Sequence, residues 1–470
     1  MHRRWIAPLA VACALGTRAG AQSSPTPTLS APTKGLQFPV DYRTLPNGLK
    51  VVLSRDTTTP TTAIAVYYNI GFRIEPKDRT GFAHLFEHLM FQGSGSLGKM
   101  EFIKLVQENG GILNGSTRFD FTNYFEVVPS HVLETMLWAE ADRMKGLAID
   151  TANLSNQQGV VKNEVKVNVL NQPYGSFPWI DMPMAANTNW YNAHNFYGDL
   201  ADLDAATLAD ADKFFRTFYA PNNAVLVVVG DFDTATTWRW IEKYFAGIPA
   251  VQQPPKPDIT EPEQTEERRT TKTLPNAPKP AVAVAYHVPP RYTPEWYAFG
   301  LIDQILGQGR DSWLYQELVQ KRGLTGDVSA GINWGLGSMY DYHGPMLWMV
   351  TVYHDAANPS DTLLAAMESR IDALRTRPVD RATLDRALVK LRSNLYSEAE
   401  QLNGFGRANL LASFALFDND PARINRLESE FLKVTPELIQ RTAQQYLRPT
   451  ARTVVTVVAG GGPGAASGTN

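Results

Sequence analysis

Gly81-Phe82-Ala83-His84-Leu85-Phe86-Glu87-His88-Leu89-Met90-Phe91-Gln92-Gly93 decides how this chain is read. Apolar residues interleave with polar ones and glycine closes the segment, the pattern of a short buried helix. On a helix, His84 and His88 are four apart and share one face, one turn from each other. Two imidazoles so placed can hold one zinc ion. Glu87 falls on the neighbouring edge of that face, where it can take a proton from metal-activated water without being a ligand itself. The blander alternative is a pair of core histidines and a stray acid. It would bury three ionisable groups on one turn without partners, which is costly. The spacing His-x-x-Glu-His is also the inverse of the His-Glu-x-x-His pattern of zinc-binding helices.

Upstream, residues 71–80 read as a polar loop. Leu49, Val51 and Leu53 alternate with Lys50, Val52 and Ser54 after the turn Pro46-Asn47-Gly48, so a hairpin opens the fold, and Ala63, Ala65 and Tyr67 mark a further strand. Residues 22–39 are rich in Ser, Thr and Pro and read as a flexible lead-in. Residues 1–21 have a basic start, an apolar run over 5–15 and Ala19-Gly20-Ala21, the make-up of a signal peptide. That run is too short to span a bilayer comfortably, and no other stretch is long and apolar enough. The expected product is exported, periplasmic or beyond, without a membrane span. The one cysteine, Cys13, lies in the leader, so the mature chain offers neither a disulfide nor a thiolate ligand. The formal charge is −3, and loss of Arg3, Arg4 and Arg18 makes it more negative. A mildly acidic chain without a basic patch excludes nucleic acid as the expected partner.

Downstream, residues 99–107 read as a helix broken at Asn109-Gly110-Gly111, and Phe119, Phe121, Tyr124 and Phe125 as strands. Pro129-Ser130 caps a long amphipathic helix, with His131 in its first turn as a surface or capping residue. A further helix over about 154–170 carries Glu164. Residues 251–275, with Pro254, Pro255, Pro257, Pro262 and a charged run, are the expected linker. Beyond it, Tyr446, Pro449 and the apolar run 453–458 follow a helix as Tyr219, Pro221 and the run 224–229 do. Two halves of similar α+β build follow: 40–250 with the metal motif, and 276–462 without it, ending in a tail over 463–470. His287, His343 and His354 in the second half are not spaced as ligands.

An open zinc site wants a third protein ligand. Glu126, Glu134, Glu140, Asp142 and Glu164 all follow the motif, and composition does not choose among them.

With these residues in view, the chain resembles the pitrilysin-type, or M16, zinc peptidases, and most of all their short two-domain bacterial members, which are similar to the subunits of mitochondrial processing peptidase. The carriers are Leu45-Pro46-Asn47-Gly48-Leu49, residues 81–93, Gly110-Gly111-Ile112-Leu113-Asn114, Tyr219-Ala220-Pro221-Asn222-Asn223-Ala224, Val229-Gly230-Asp231 and Lys321-Arg322-Gly323-Leu324. The resemblance implies an α+β fold of two homologous domains, each a mainly antiparallel sheet covered by helices and related by internal duplication. It implies Glu164, in Gly159-Val160-Val161-Lys162-Asn163-Glu164-Val165, as third zinc ligand and Glu87 as catalytic base. It implies extended peptide substrates that add to a sheet edge near Asn114, with Phe91 lining the pocket after the scissile bond.

Three positions depart from the family. Gln157, two turns before Glu164, stands where the family often has a second acid. Val319 and Gly326 stand where members that act alone carry an Arg and a Tyr that reach the substrate carbonyl. Neither can donate a side-chain hydrogen bond, and Arg310, Tyr315 and Arg322 are out of register. The expectation is a zinc endopeptidase whose Arg and Tyr come from a homologous partner subunit in a heterodimer. The rival expectation is a non-catalytic scaffold or peptide-binding homologue of the same fold.

Overall fold

A computed structural model describes Gly35 and residues 37–460. The leader 1–21 and the tail 463–470 lie outside the described residues, as does most of the lead-in 22–39.

The first half builds a six-stranded sheet from β1 (Asp41–Thr44), β2 (Lys50–Arg55), β3 (Thr61–Tyr68), β4 (Ile112–Thr117), β5 (Thr122–Pro129) and β6 (Ala224–Gly230), in the order β1-β2-β6-β3-β5-β4. The second half builds a five-stranded sheet from β7 (Arg268–Leu274), β8 (Ala281–His287), β9 (Ser329–Ile332), β10 (Leu347–Tyr353) and β11 (Thr453–Ala459), in the order β7-β11-β8-β10-β9. Without β1 the two orders are the same: first strand, last, second, fourth, third. Even the single parallel pair recurs, β2 with β6 and β7 with β11, while every other pairing is antiparallel. This is the fold of two duplicated α+β halves that the sequence predicts.

Period-two alternation sends each central strand to two cores. Ile64, Val66 and Tyr68 of β3 and Leu226 and Val228 of β6 pack with α1 (Phe82–Leu89) and with Leu133, Met136 and Leu137 of a long helix, Leu133–Lys145. Ala63, Ala65 and Tyr67 and Val225, Val227 and Val229 face the other way. There they meet a second-half helix, Phe405–Asp418, whose Phe405 stacks on Phe125 at 3.6 Å. In return, the first-half helix Asp181–Ala186 brings Met182 and Ala186 onto Ala281, Ala283 and Ala285 of β8. Each half thus covers a face of the other's sheet.

Polar bonds cross as well. Arg73 pairs with Asp120 at 2.7 Å and donates to the Pro345 carbonyl at 2.9 Å, and Asp120 accepts from the His343 and Gly344 amides at 2.7 and 3.2 Å. Lys50 Nζ caps the Ala415 and Leu416 carbonyls, both at 3.0 Å, near the end of their helix. Residues 37–460 accordingly form one compact unit.

Three local expectations change. The expected linker 251–275 is coil only as far as Glu267, and its last residues are strand β7, paired along its length with β11. The charged run that suggested a linker ends in this edge strand, where Arg269 is exposed while Arg268 and Lys272 turn to the Ala186 carbonyl and to Asp181. The coil is held down too, since Glu261 accepts from Asn192 and from the Thr188 and Asn189 amides. The polar loop 71–80 contains a 3-10 turn with Phe72, Arg73 and Glu75 buried. The helix expected over 154–170 is α-helical over Thr151–Val165 and closes in a π turn, Lys166–Leu170. No helix among the described residues is long and apolar enough to cross a membrane.

Candidate metal centre

Helix α1 begins at Gly81, whose left-handed φ of 82° precludes an ordinary side-chain cap at that residue. Its free amides are met from outside instead. Glu75 accepts from Gly81 N at 2.8 Å and Ala83 N at 2.5 Å. Phe82, Leu85, Phe86 and Leu89 bury one side of the helix, which leaves His84, Glu87 and His88 on the other.

Thr151–Val165 lies across α1 and ends its last α-helical turn with Glu164. His84 Nε2 is 3.6 Å from Glu164 Oε1 and His88 Nε2 is 3.3 Å from Glu164 Oε2. The three donor atoms lie within 4.8 Å of one another. Two imidazole nitrogens and a carboxylate at this spacing are a donor set that suits zinc and leaves a position open. Burial, then the neighbouring His88, pushes the His84 imidazole down to about 4, so it is neutral and has a lone pair to offer at physiological pH. The hydrogen bond from His88 holds the Glu164 carboxyl below its usual range.

Glu87 stands outside the donor group. Its Oε2 accepts from the Thr117 hydroxyl of β4 at 2.7 Å, and burial raises its carboxyl above the usual range. β4 is the open edge of its sheet, paired with β5 alone. A Cβ on Gly115 in this strand would lie 3.1 Å from Glu87 Cγ, so a side chain here would press on the acid and make it shift. Asn114 is exposed on the same strand, opposite Phe125, with its Oδ1 accepting from the Gly115 amide at 2.9 Å. Phe91 is not brought to the donors by its ring contacts, which are with Tyr124, Phe102 and Arg143 in the apolar cluster behind α1.

Among the described residues, none of the other acids eligible as third ligand joins the donor group. Glu134 accepts from Tyr244 and Lys243, Asp142 from Ser94 and Ser96, and Glu140 pairs with Arg143 beside the fully buried Glu126. Gln157 is buried with its amide on Asn156, and His84 Nδ1 is buried without a partner among the described residues. His287 bonds Asn187, His354 bonds Ser360, and His343 stacks on Phe417. In the second half, Val319 lies in a π turn, Gln316–Lys321, packed on the core, and Gly326 is exposed with open space around it. Arg322 is taken by Glu317 at 2.7 Å. Sequence reasoning missed Glu75, Thr117, Gly115 and Tyr197, whose hydroxyl donates to Glu164 Oε1 at 3.4 Å. Gly115 and Thr117 follow the stretch 110–114 without belonging to it, Glu75 and Tyr197 lie in no motif, and only the folded backbone brings all four to the site.

Two family models match this chain: Insulinase (Peptidase family M16) over residues 50–182 and Peptidase M16 inactive domain over residues 205–391. The chain belongs to the M16 peptidase family. The first M16 model covers the His-x-x-Glu-His helix and Glu164. The second begins beyond them and takes in the second half only as far as residue 391. Among M16 relatives, the zinc protease PqqE of Helicobacter pylori is 27% identical over 88% of this chain and 91% of that protein. A probable mitochondrial-processing peptidase subunit beta of Arabidopsis thaliana is 22% identical over 48% of this chain and 42% of that protein. The crystal structure of a protease from Helicobacter pylori matches with a TM-score of 0.81 at 25% identity, over 90% of this chain and all of that one.

Proposed function

We propose that this chain is a zinc-dependent endopeptidase of the cell envelope and the metal-bearing subunit of a heterodimer. The observation that carries the reading is the convergence of His84 Nε2, His88 Nε2 and the Glu164 carboxylate within 4.8 Å, with Glu87 beside them but bonded to Thr117 instead. His84, His88 and Glu164 would hold the ion, which supplies Lewis-acid polarisation of water and of the scissile carbonyl when bound. Glu87 takes a proton from the attacking water and returns it to the departing amine. Its raised affinity for protons suits a group that must accept one. The peptide adds as a strand to the free edge of β4, past Asn114, and Gly115 leaves room for its backbone next to Glu87. Phe91, half-buried beside Tyr124, would line the pocket after the scissile bond.

The heterodimer reading rests on Val319 and Gly326. Loss of one oxyanion donor costs ~10²–10³ in rate, so a site without both calls for a second homologue that supplies Arg and Tyr. The leader-like 1–21 supports export. The same two residues favour the rival reading, a peptide-binding scaffold. Metal analysis separates them: near-stoichiometric zinc after gentle purification supports the peptidase, and its absence supports the scaffold.

A further inference from the structure

Resting on that zinc reading, we propose that Tyr197 is a positioning residue that fixes the Glu164 carboxylate for the metal. Among the described residues it is the one side chain other than the two histidines within hydrogen-bonding distance of Glu164. Its O–H donates to Oε1, the oxygen on the His84 side, and leaves Oε2 to face His88. Its ring meets the His84 ring edge-on, centroids 5.0 Å apart, and Trp179 packs edge-on behind it at 5.4 Å. One residue therefore touches two of the three donors while supplying none.

The segment that carries Tyr197 is placed by the metal helix itself. The Tyr197 amide is turned onto Asn195 Oδ1 at 3.1 Å. Gly198 follows with φ of 76°, pressed so closely on Thr80 and Gly81 that a Cβ would collide with both backbones. The Asp199 amide then donates to Thr80 Oγ1 at 2.8 Å. The start of α1 and the phenol over Glu164 thus share one rigid contact, so the third ligand, which comes from a different helix, is registered against the helix that carries the two histidines. A hydrogen bond of this kind fixes which carboxylate oxygen points at an ion, and such outer partners typically govern 10–100-fold in metal affinity.

The test is Tyr197→Phe, which keeps the ring and removes the O–H, in the full mature chain. Zinc affinity is measured by competition with a chromophoric chelator, and the melting temperature is taken on the metal-free protein. The expected result is a zinc Kd raised about 10–100-fold, with the metal-free melting temperature unchanged. A merely structural tyrosine would give the opposite split. Tyr191→Phe, on the same segment, should leave zinc affinity at the wild-type value. A double-mutant cycle with Glu164→Ala provides the second arm, because loss of the O–H should cost nothing further once its acceptor is gone. Wild-type zinc affinity in Tyr197→Phe, or an undiminished effect in the Glu164→Ala background, overturns the proposal alone. A wild-type chain that binds no zinc, or binds it regardless of Glu164, overturns it together with the metal reading.

Discussion

Glu87 and Glu164 share one small site under opposite electrostatics. Burial raises the first, and the histidines lower the second. That difference fits the proposed roles, since a ligand must stay ionised and a base must accept a proton. Glu87→Gln should cost at least ~10²–10⁴-fold in peptide cleavage while zinc content, read by elemental analysis, stays at the wild-type level. Zinc lost along with activity would make Glu87 a ligand. Legibility at this scale follows chain distance. His84, Glu87 and His88 are readable because one helical turn fixes their geometry. Glu164 is readable only through family resemblance, because Glu126, Glu134, Glu140 and Asp142 are equally eligible until the fold shows each of them bonded elsewhere or buried. Tyr197 is not readable at all, because its position comes from a close approach of two backbones.

Among the elements, α1 and β4 do the positioning. Glu75, which serves the first amides of α1, is wholly buried. Burial pushes its carboxyl to about 8 from the usual 4.5, with two backbone amides pulling it down and Asp202 pushing it up. The folded chain therefore holds this proton to higher pH than the unfolded chain does. Its contribution to stability is full below about 4.5, declines as pH rises to about 8 and is level beyond. His194, whose Nε2 is 3.9 Å from Glu75 and which burial keeps neutral, contributes a slope of the other sign at lower pH. Denaturant melts of the wild type and Glu75→Gln at matched pH cancel that term. The wild type should lose stability relative to the variant between pH 5 and 8, and parallel curves would show that Glu75 is ionised throughout. On β4, Gly115→Val should push Glu87 out of place and cost about 10²-fold in cleavage with zinc retained. Full activity would mean that the peptide and its base approach from elsewhere. The strands, α1 and the repeated Tyr-Pro turn are legible from period and turn residues. The partly buried loop 71–80 and strand β7 are not, because polar residues with tertiary partners resemble polar residues in water.

Across the whole molecule, the duplication is visible in sequence as one repeated helix–turn–strand and in space as two sheets of one strand order. What the sequence cannot convey is that each half covers a face of the other's sheet. That exchange predicts a single cooperative unfolding transition for residues 37–460, checked by calorimetry against denaturant melts. Two separated transitions would contradict it. Arg73→Ala would leave Asp120 buried and unpaired at the junction and should cost about 3–5 kcal/mol. The incomplete second half predicts that a homologous subunit carrying Arg and Tyr raises activity on mixing, with a heterodimer mass by light scattering. The most direct measurement is cleavage of a fluorogenic peptide library by the purified mature chain, alone and with such a subunit, before and after chelation and zinc restoration. A metal-dependent peptidase predicts cleavage that chelator abolishes and stoichiometric zinc restores. Cleavage indifferent to the chelator, or none under any of these conditions, would contradict it.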